Sequence, residues 1–339
     1  MSENTKIEWC DHTFNPWEGC QKVSPGCDNC YAEARNVRFG GGTAANWGPG
    51  APRRRTSAAN WKLPLKWNQL SEQWVRNGGP RTRVFCASLA DVFDLDVQTD
   101  WRRDLYALIE ATPHLDWLLL TKRIGNAKAA LNECAFGRWN EAPLPNVWLG
   151  ATIVNQAEAD RDIPKLLATP AAKRFLSMEP LLGPVDLSRV VLHSGPIELA
   201  STAPPEWQNV KTVNVVMDAL RPGKKTGRRA LDWVIVGGES GPNARPMHPD
   251  WARSLRDQCA AAGVPFLFKQ WGEFMPPESR ATPYPGKDWR DVLDATGTTR
   301  PVHFVGDRVL ESSRQVVRVG KKAAGRLLDG RLHDEFPAP

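Results

Sequence analysis

Cys20, Cys27 and Cys30 fall within eleven residues in a Cys-x6-Cys-x2-Cys spacing. Gly19, Pro25 and Gly26 turn the backbone between them, so the three thiols can converge on one point. A structural zinc site takes four closed ligands, usually as two separated pairs, and no second Cys-x2-Cys or His-x3-5-His pair follows. Only Cys10 and His12 lie near enough in sequence to supply a fourth ligand. A 4Fe–4S cluster also commonly takes four thiolates. Held by three, it leaves one iron open to a substrate or cofactor, as a radical S-adenosylmethionine (SAM) enzyme requires. Three readings follow: a three-thiolate cluster, zinc completed by Cys10 or His12, or three ordinary buried thiols.

The elements that must position these thiols show in the apolar pattern. A first strand within 6–17 leads into the cysteine loop, and a helix begins shortly after Cys30. Short apolar runs at 84–87, 116–120, 147–152, 174–178, 233–236 and 265–268 alternate with helical patterns at 101–111, 126–133, 157–168 and 249–262; a weaker helix covers 63–75. Alternation of this kind calls for parallel strands with right-handed crossovers. About seven β/α units predict an α/β fold, a complete or partial (β/α) TIM-type barrel, with an open doubly wound sheet as runner-up. Nearly every strand ends in polar residues, and in a barrel that rim would bring Asp91, Lys122, Asn155, Glu179, Glu239 and Lys269 to one pocket. Each taken singly also fits a solvated loop position or a helix N-cap.

The 339 residues, 41% of them hydrophobic, can bury a large core. The expected organisation is a barrel over 1–275 with insertions at about 39–60 and 194–229, followed by an extension at 276–339 packing on it. The N-terminus lacks an apolar signal region and no apolar run reaches membrane-spanning length, so a cytoplasmic protein with no membrane partner is expected. In that compartment seven cysteines are reduced thiols or metal ligands. The net charge is +6 and the isoelectric point near 9.0. Arg53-Arg54-Arg55, Lys224-Lys225 with Arg228-Arg229, and Lys321-Lys322 are the basic clusters, read either as solvated surface or as a nucleic-acid footprint. Most of the fifteen tryptophans belong to the core, and the rest could serve as stacking platforms.

Several motifs together resemble one family. Asn29-Cys30-Tyr31-Ala32, Thr121-Lys122-Arg123, Val147-Trp148-Leu149-Gly150, the run from Arg174 through Met178-Glu179-Pro180 to Gly183, and Val236-Gly237-Gly238-Glu239-Ser240-Gly241 look like the phage-associated three-Cys-motif proteins. The likeness runs from about Lys6 to Phe274, and 319–328 resembles that family's usual end. It implies relatedness to radical SAM enzymes, whose usual motif is Cys-x3-Cys-x2-Cys with an aromatic residue before the last cysteine. Here the first gap is six residues, Asn29 takes the aromatic place, and Tyr31 follows the motif. The Gly-Gly-Glu at 237–239 has the composition of a SAM-binding stretch but lies much later in the chain.

On this resemblance, Cys20, Cys27 and Cys30 would ligate the cluster and an external electron donor would reduce it. Lys122 or Arg123 would meet the SAM carboxylate, and Glu179, Glu239 or Asn155 its amino and ribose groups. Gly237 and Gly238 would permit close backbone approach. Cys86, at a strand end, is a candidate hydrogen-atom donor or a buried structural thiol. The implied substrate is a nucleobase in DNA or RNA, modified or repaired, with the basic insertions contacting the backbone; a nucleotide or small molecule remains open. A methyltransferase-like protein is the implied partner. Two other classes compete: a zinc-stabilised nucleic-acid binder without chemistry, and a metal-dependent hydrolase, which six histidines without a close ligand pair disfavour.

Overall fold

A computed structural model describes residues 4–196, 212–223, 229–277, 289–293, 299–301 and 313–338. In chain order its main elements are β1 (His12–Thr13), α1 (Tyr31–Phe39), α2 (Ala58–Arg76), β2 (Thr82–Cys86), α3 (Thr99–Glu110), β3 (Leu115–Thr121), α4 (Ile124–Cys134), β4 (Val147–Thr152), α5 (Gln156–Ala168), β5 (Lys173–Met178), β6 (Trp233–Gly237), α6 (Pro249–Ala262) and β7 (Phe266–Gln270). The seven strands form one sheet in sequential order, each parallel to its neighbour. A doubly wound sheet reverses its order at a switch point, and this one does not. The architecture is a partial β/α barrel with β1 and β7 at its edges. The first strand is shorter than the sequence predicts, only two residues.

Side chains alternate across the strands and divide the core in two. Val84, Trp117, Leu119, Leu149, Leu176, Val234 and Phe268 point outward to the helices and join the larger cluster. Phe85, Leu118, Trp148, Phe175, Trp233, Ile235 and Leu267 point inward, with Trp9 and Cys10, and fill the barrel floor. Gly150 belongs to that floor because a Cβ there would lie 2.3 Å from the Phe175 ring.

Two connections depart from the β/α rhythm. Between β5 and β6 an antiparallel pair, Val190–Pro196 with Thr212–Met217, replaces a helix. It begins four residues before the insertion expected at 194–229 and overlaps it; Lys224, Lys225 and Arg228 of that insertion lie outside the described residues. At the open edge, the C-terminal segment meets β7. Leu267 bridges antiparallel to Asp334, Phe268 N–H donates to the His333 carbonyl at 2.9 Å, and Trp233 Nε1 donates to the Glu335 carbonyl at 2.8 Å. Phe336 then packs 5.1 Å from the Trp233 ring with the Arg83 guanidinium 3.9 Å from its own. This segment covers part of an edge that would otherwise present unpaired backbone groups.

No helix among the described residues is long and apolar enough to cross a membrane.

Candidate functional site

The cysteine loop sits over the C-terminal ends of the strands, where a barrel builds its chemistry. Gly19 enters it at φ +114°, and a Cβ there would stand 2.5 Å from the Asn46 carbonyl, so only glycine fits. The Ser24 hydroxyl accepts from Gly26 N–H at 3.2 Å and caps the short turn Pro25–Cys27. Cys30 is the N-cap of α1. Cys20, Cys27 and Cys30 carry free thiols and line one cavity of about 520 Å³, together with Lys122, Arg123, Glu179 and Lys269.

Two arginines hold the loop from opposite ends. Arg123, following β3, donates to Cys20 Sγ at 3.3 Å and to the Gln21 carbonyl at 2.8 Å, while Asp91 anchors it at 3.2 Å. Burial pushes the Cys20 thiol up to about 11, and the Arg123 charge works against that rise. Arg245 reaches the Asp28 carboxylate and the Pro25 carbonyl, each at 2.9 Å, and pairs with Glu239 at 2.6 Å. Asn29 also donates to Glu239, at 3.0 Å. The sequence gives no local sign of Arg245, whose partner Asp28 lies 217 residues earlier.

Glu239 therefore holds the loop. Burial works to raise its pKa, but the hydrogen bonds from the Arg245 side chain, the Arg245 backbone and Asn29 outweigh it and hold the carboxyl below its ordinary value. A depressed carboxyl stabilises the fold above its unfolded value and loses that contribution as pH falls through the folded one. The expected result is that Glu239→Gln lowers the unfolding temperature relative to wild type at neutral pH. That gap should shrink as pH falls below 4.5, the ordinary value. Thermal unfolding of both proteins across acid pH checks it, and a gap that widens in acid would refute the assignment.

The other predicted residues divide. Lys122 lines the cavity, and among the described residues its ammonium makes no hydrogen bond or ion pair. Glu179 and Lys269 also line it and pair at 3.0 Å. Gly237 lies between their strands on β6, and a Cβ there would stand 2.6 Å from Glu179 Oε1. Gly237 thus makes room for the Glu179 side chain. Gly238 likewise makes room for the Trp271 carbonyl, 1.9 Å from where its Cβ would be, and it also lines the cavity. Asn155 caps α5, its side chain accepting from Glu158 N–H at 3.0 Å, and it does not line the cavity. Cys86 is fully buried on the helix-facing side of the sheet, where burial raises its pKa, and the structure does not bring it to the cavity.

The Arg53-Arg54-Arg55 cluster is not a free basic surface. Arg53 is buried against Asp94 and Asp96, Arg54 pairs with Glu18, and Arg55 pairs with Asp104 at 2.7 Å with its guanidinium 4.3 Å from the Trp61 ring. Each of the three guanidiniums thus has a local carboxylate partner, and Arg54 stays exposed.

Among the described residues, no group of three His, Cys, Asp or Glu side chains is gathered closely enough to hold a metal ion. Each of two thiols instead has a protein partner: Cys20 donates to the Gln21 carbonyl at 3.5 Å, and Cys27 Sγ lies 4.0 Å from the Ser24 hydroxyl. In kind and place the donor set fits an iron–sulfur cluster. Three free thiols from one loop line one cavity, with the Arg123 cation beside Cys20 to offset thiolate charge. Neither candidate fourth zinc ligand lines that cavity. Cys10 is in the barrel floor, where burial pushes its thiol up to about 12, and His12 stacks on Trp67 with ring centroids 4.3 Å apart.

Comparison with family models matches residues 4–337 to the family described as a protein of unknown function, DUF5131, and the chain belongs to that family. Searches of the curated proteins and of the solved structures found no significant match.

Proposed function

As a member of that family, the chain is, we propose, a radical SAM-type enzyme that acts on a nucleobase, with Cys20, Cys27 and Cys30 holding a 4Fe–4S cluster. One observation carries the reading: three free thiols from a single loop line one cavity at the C-terminal rim of a parallel β/α sheet, with no histidine and no fourth thiol beside them among the described residues. The likeness of its motifs to phage-associated three-Cys-motif proteins supports the same reading.

When bound and reduced by an external donor, such a cluster would supply the electron for reductive cleavage of a carbon–sulfur bond of SAM. The chain's own residues bind and orient. Lys122 is the cation available for the SAM carboxylate, because Arg123 is taken by Asp91, Cys20 and Gln21. Glu179, steadied by Lys269, is the acceptor for the amino group. Trp9 and Phe85 give the cavity an apolar floor, which would limit the access of water to bound cofactor from below. Tyr31, 62% exposed, and Trp47 also line the cavity and offer faces on which a base can stack. A base in a duplex would have to be extruded to reach them. A methyltransferase-like protein is the proposed partner.

Anaerobic iron–sulfur reconstitution tests this, with Cys27→Ala as control. A brown wild-type protein that forms 5′-deoxyadenosine from SAM under dithionite is expected, with both colour and product lost in the variant. A colourless protein holding stoichiometric zinc would overturn the reading.

A further inference from the structure

The cavity does not end at the thiols. Lys321, from the C-terminal segment, lines it and also lines an adjoining open groove of about 570 Å³ shared with Lys322, Gly320 and Glu273. Of the other lining cations, Lys22 pairs with Glu33 at 3.2 Å, Arg123 with Asp91 at 3.2 Å and Lys269 with Glu179 at 3.0 Å, while Lys122 is the one assigned above to the cofactor. The Lys321 and Lys322 ammonium groups make no hydrogen bond or ion pair among the described residues. The groove's acid, Glu273, turns one oxygen to Gly241 N–H at 3.0 Å and pairs with neither lysine. A positive potential therefore stands where the cavity opens to the surface.

We infer that Lys321, with Lys322 behind it, binds a phosphoryl group of the substrate, so that the molecule entering the thiol cavity is a phosphate ester. This rests on the reading of that cavity as the active site. An ammonium is a compact point charge that meets phosphate from any direction and needs no bidentate geometry. With Lys122 committed to the cofactor, Lys321 is the lining cation left for the substrate. The phosphoryl group can belong to a free nucleotide or to a strand lying along the groove. On this inference the C-terminal segment contributes a substrate contact as well as covering the β7 edge.

The thiols are their own reporters. Full-length protein is treated with iodoacetate, an anion, and with iodoacetamide, its neutral counterpart, and alkylation of Cys20 and Cys30 is read by mass spectrometry. Taking the ratio of the two rates removes the thiolate fraction. The ratio should fall several-fold in Lys321→Ala, fall further in Lys321→Glu, and be retained in Lys321→Arg. A 2′-deoxynucleoside 5′-monophosphate, a single-stranded oligonucleotide and inorganic phosphate are then tested for protection of the same thiols, against the unphosphorylated nucleoside. Protection by the monophosphate indicates a free ester and protection by the oligonucleotide alone a strand; both should be lost in Lys321→Ala. An unchanged alkylation ratio in Lys321→Ala, equal protection by the nucleoside, or protection by none of the phosphate-bearing probes overturns the inference. None of these readouts needs a cluster, so a protein that fails reconstitution can still pass, and the converse.

Discussion

Arg53→Ala is expected to lower the unfolding free energy by about 3–5 kcal/mol, because it strands a buried charge. The Arg53 side chain is 1% exposed and Asp94, its partner at 2.8 Å, is fully buried. The same guanidinium reaches Asp96 at 2.9 Å and donates to the carbonyls of Asn46, Gly48 and Ala51. Removing it leaves Asp94 with Arg123 at 4.0 Å as its nearest remaining cation and frees three carbonyls of the glycine-rich loop. Lysine should not substitute, since one ammonium cannot span both carboxylates and the loop. Replacing both partners by apolar residues, Arg53→Met with Asp94→Leu, should recover much of the loss, because the expensive species is the unpaired charge. Urea unfolding of the two single variants and the pair decides it. Additive losses in the pair would show that the ion pair is not what holds the loop.

Arg53 also shows where sequence reading stops. A run of three arginines beside a glycine-rich segment looks the same whether it faces solvent or a buried aspartate, and the partners that decide lie about 41 residues away. The strands were legible because runs such as Trp117-Leu118-Leu119-Leu120 are apolar on both faces, as a parallel strand covered by helices and floor must be. Their order followed from the alternation with helices, and the rim from the polar residues at strand ends. Which rim residues face the cavity was not legible. Asn155 and Lys122 both follow a strand, but Asn155 has Glu158 three residues on and an α-helix to cap, a local pattern the handful of intervening residues already contains. Gly237 and Gly238 were recognised as places of close approach, yet what approaches them comes from β5 and from the turn after β7. Arg245 carried no pattern at all, because its role is fixed by a tertiary contact with the cysteine loop.

Gly238→Ala should be as damaging as the loss of Arg53, for a steric reason. A Cβ at Gly238 would lie 1.9 Å from the Trp271 carbonyl oxygen and 2.7 Å from its carbon, and backbone cannot swing aside as a side chain can. On the other side, Gly272, at φ +84°, would bring its own Cβ 2.1 Å from the Glu239 carbonyl. The turns after β6 and β7 are thus in backbone contact, joined by Gly238 N–H to the Gln270 carbonyl and Glu273 N–H to the Glu239 carbonyl, both at 2.9 Å. Forcing them apart should cost about 3 kcal/mol or more, the upper end of overpacking losses. It should also displace Glu239 and so release Asn29 and Arg245 from the cysteine loop, raising the alkylation rate of Cys27. Gly183→Ala is the matched control, because its Cβ would meet Asn155 at an ordinary 3.4 Å, and it should change stability by under about 1 kcal/mol. Equal stability of the two variants would mean that the contact at Gly238 relaxes freely, and that the Glu239 clasp is not set by the meeting of these two turns.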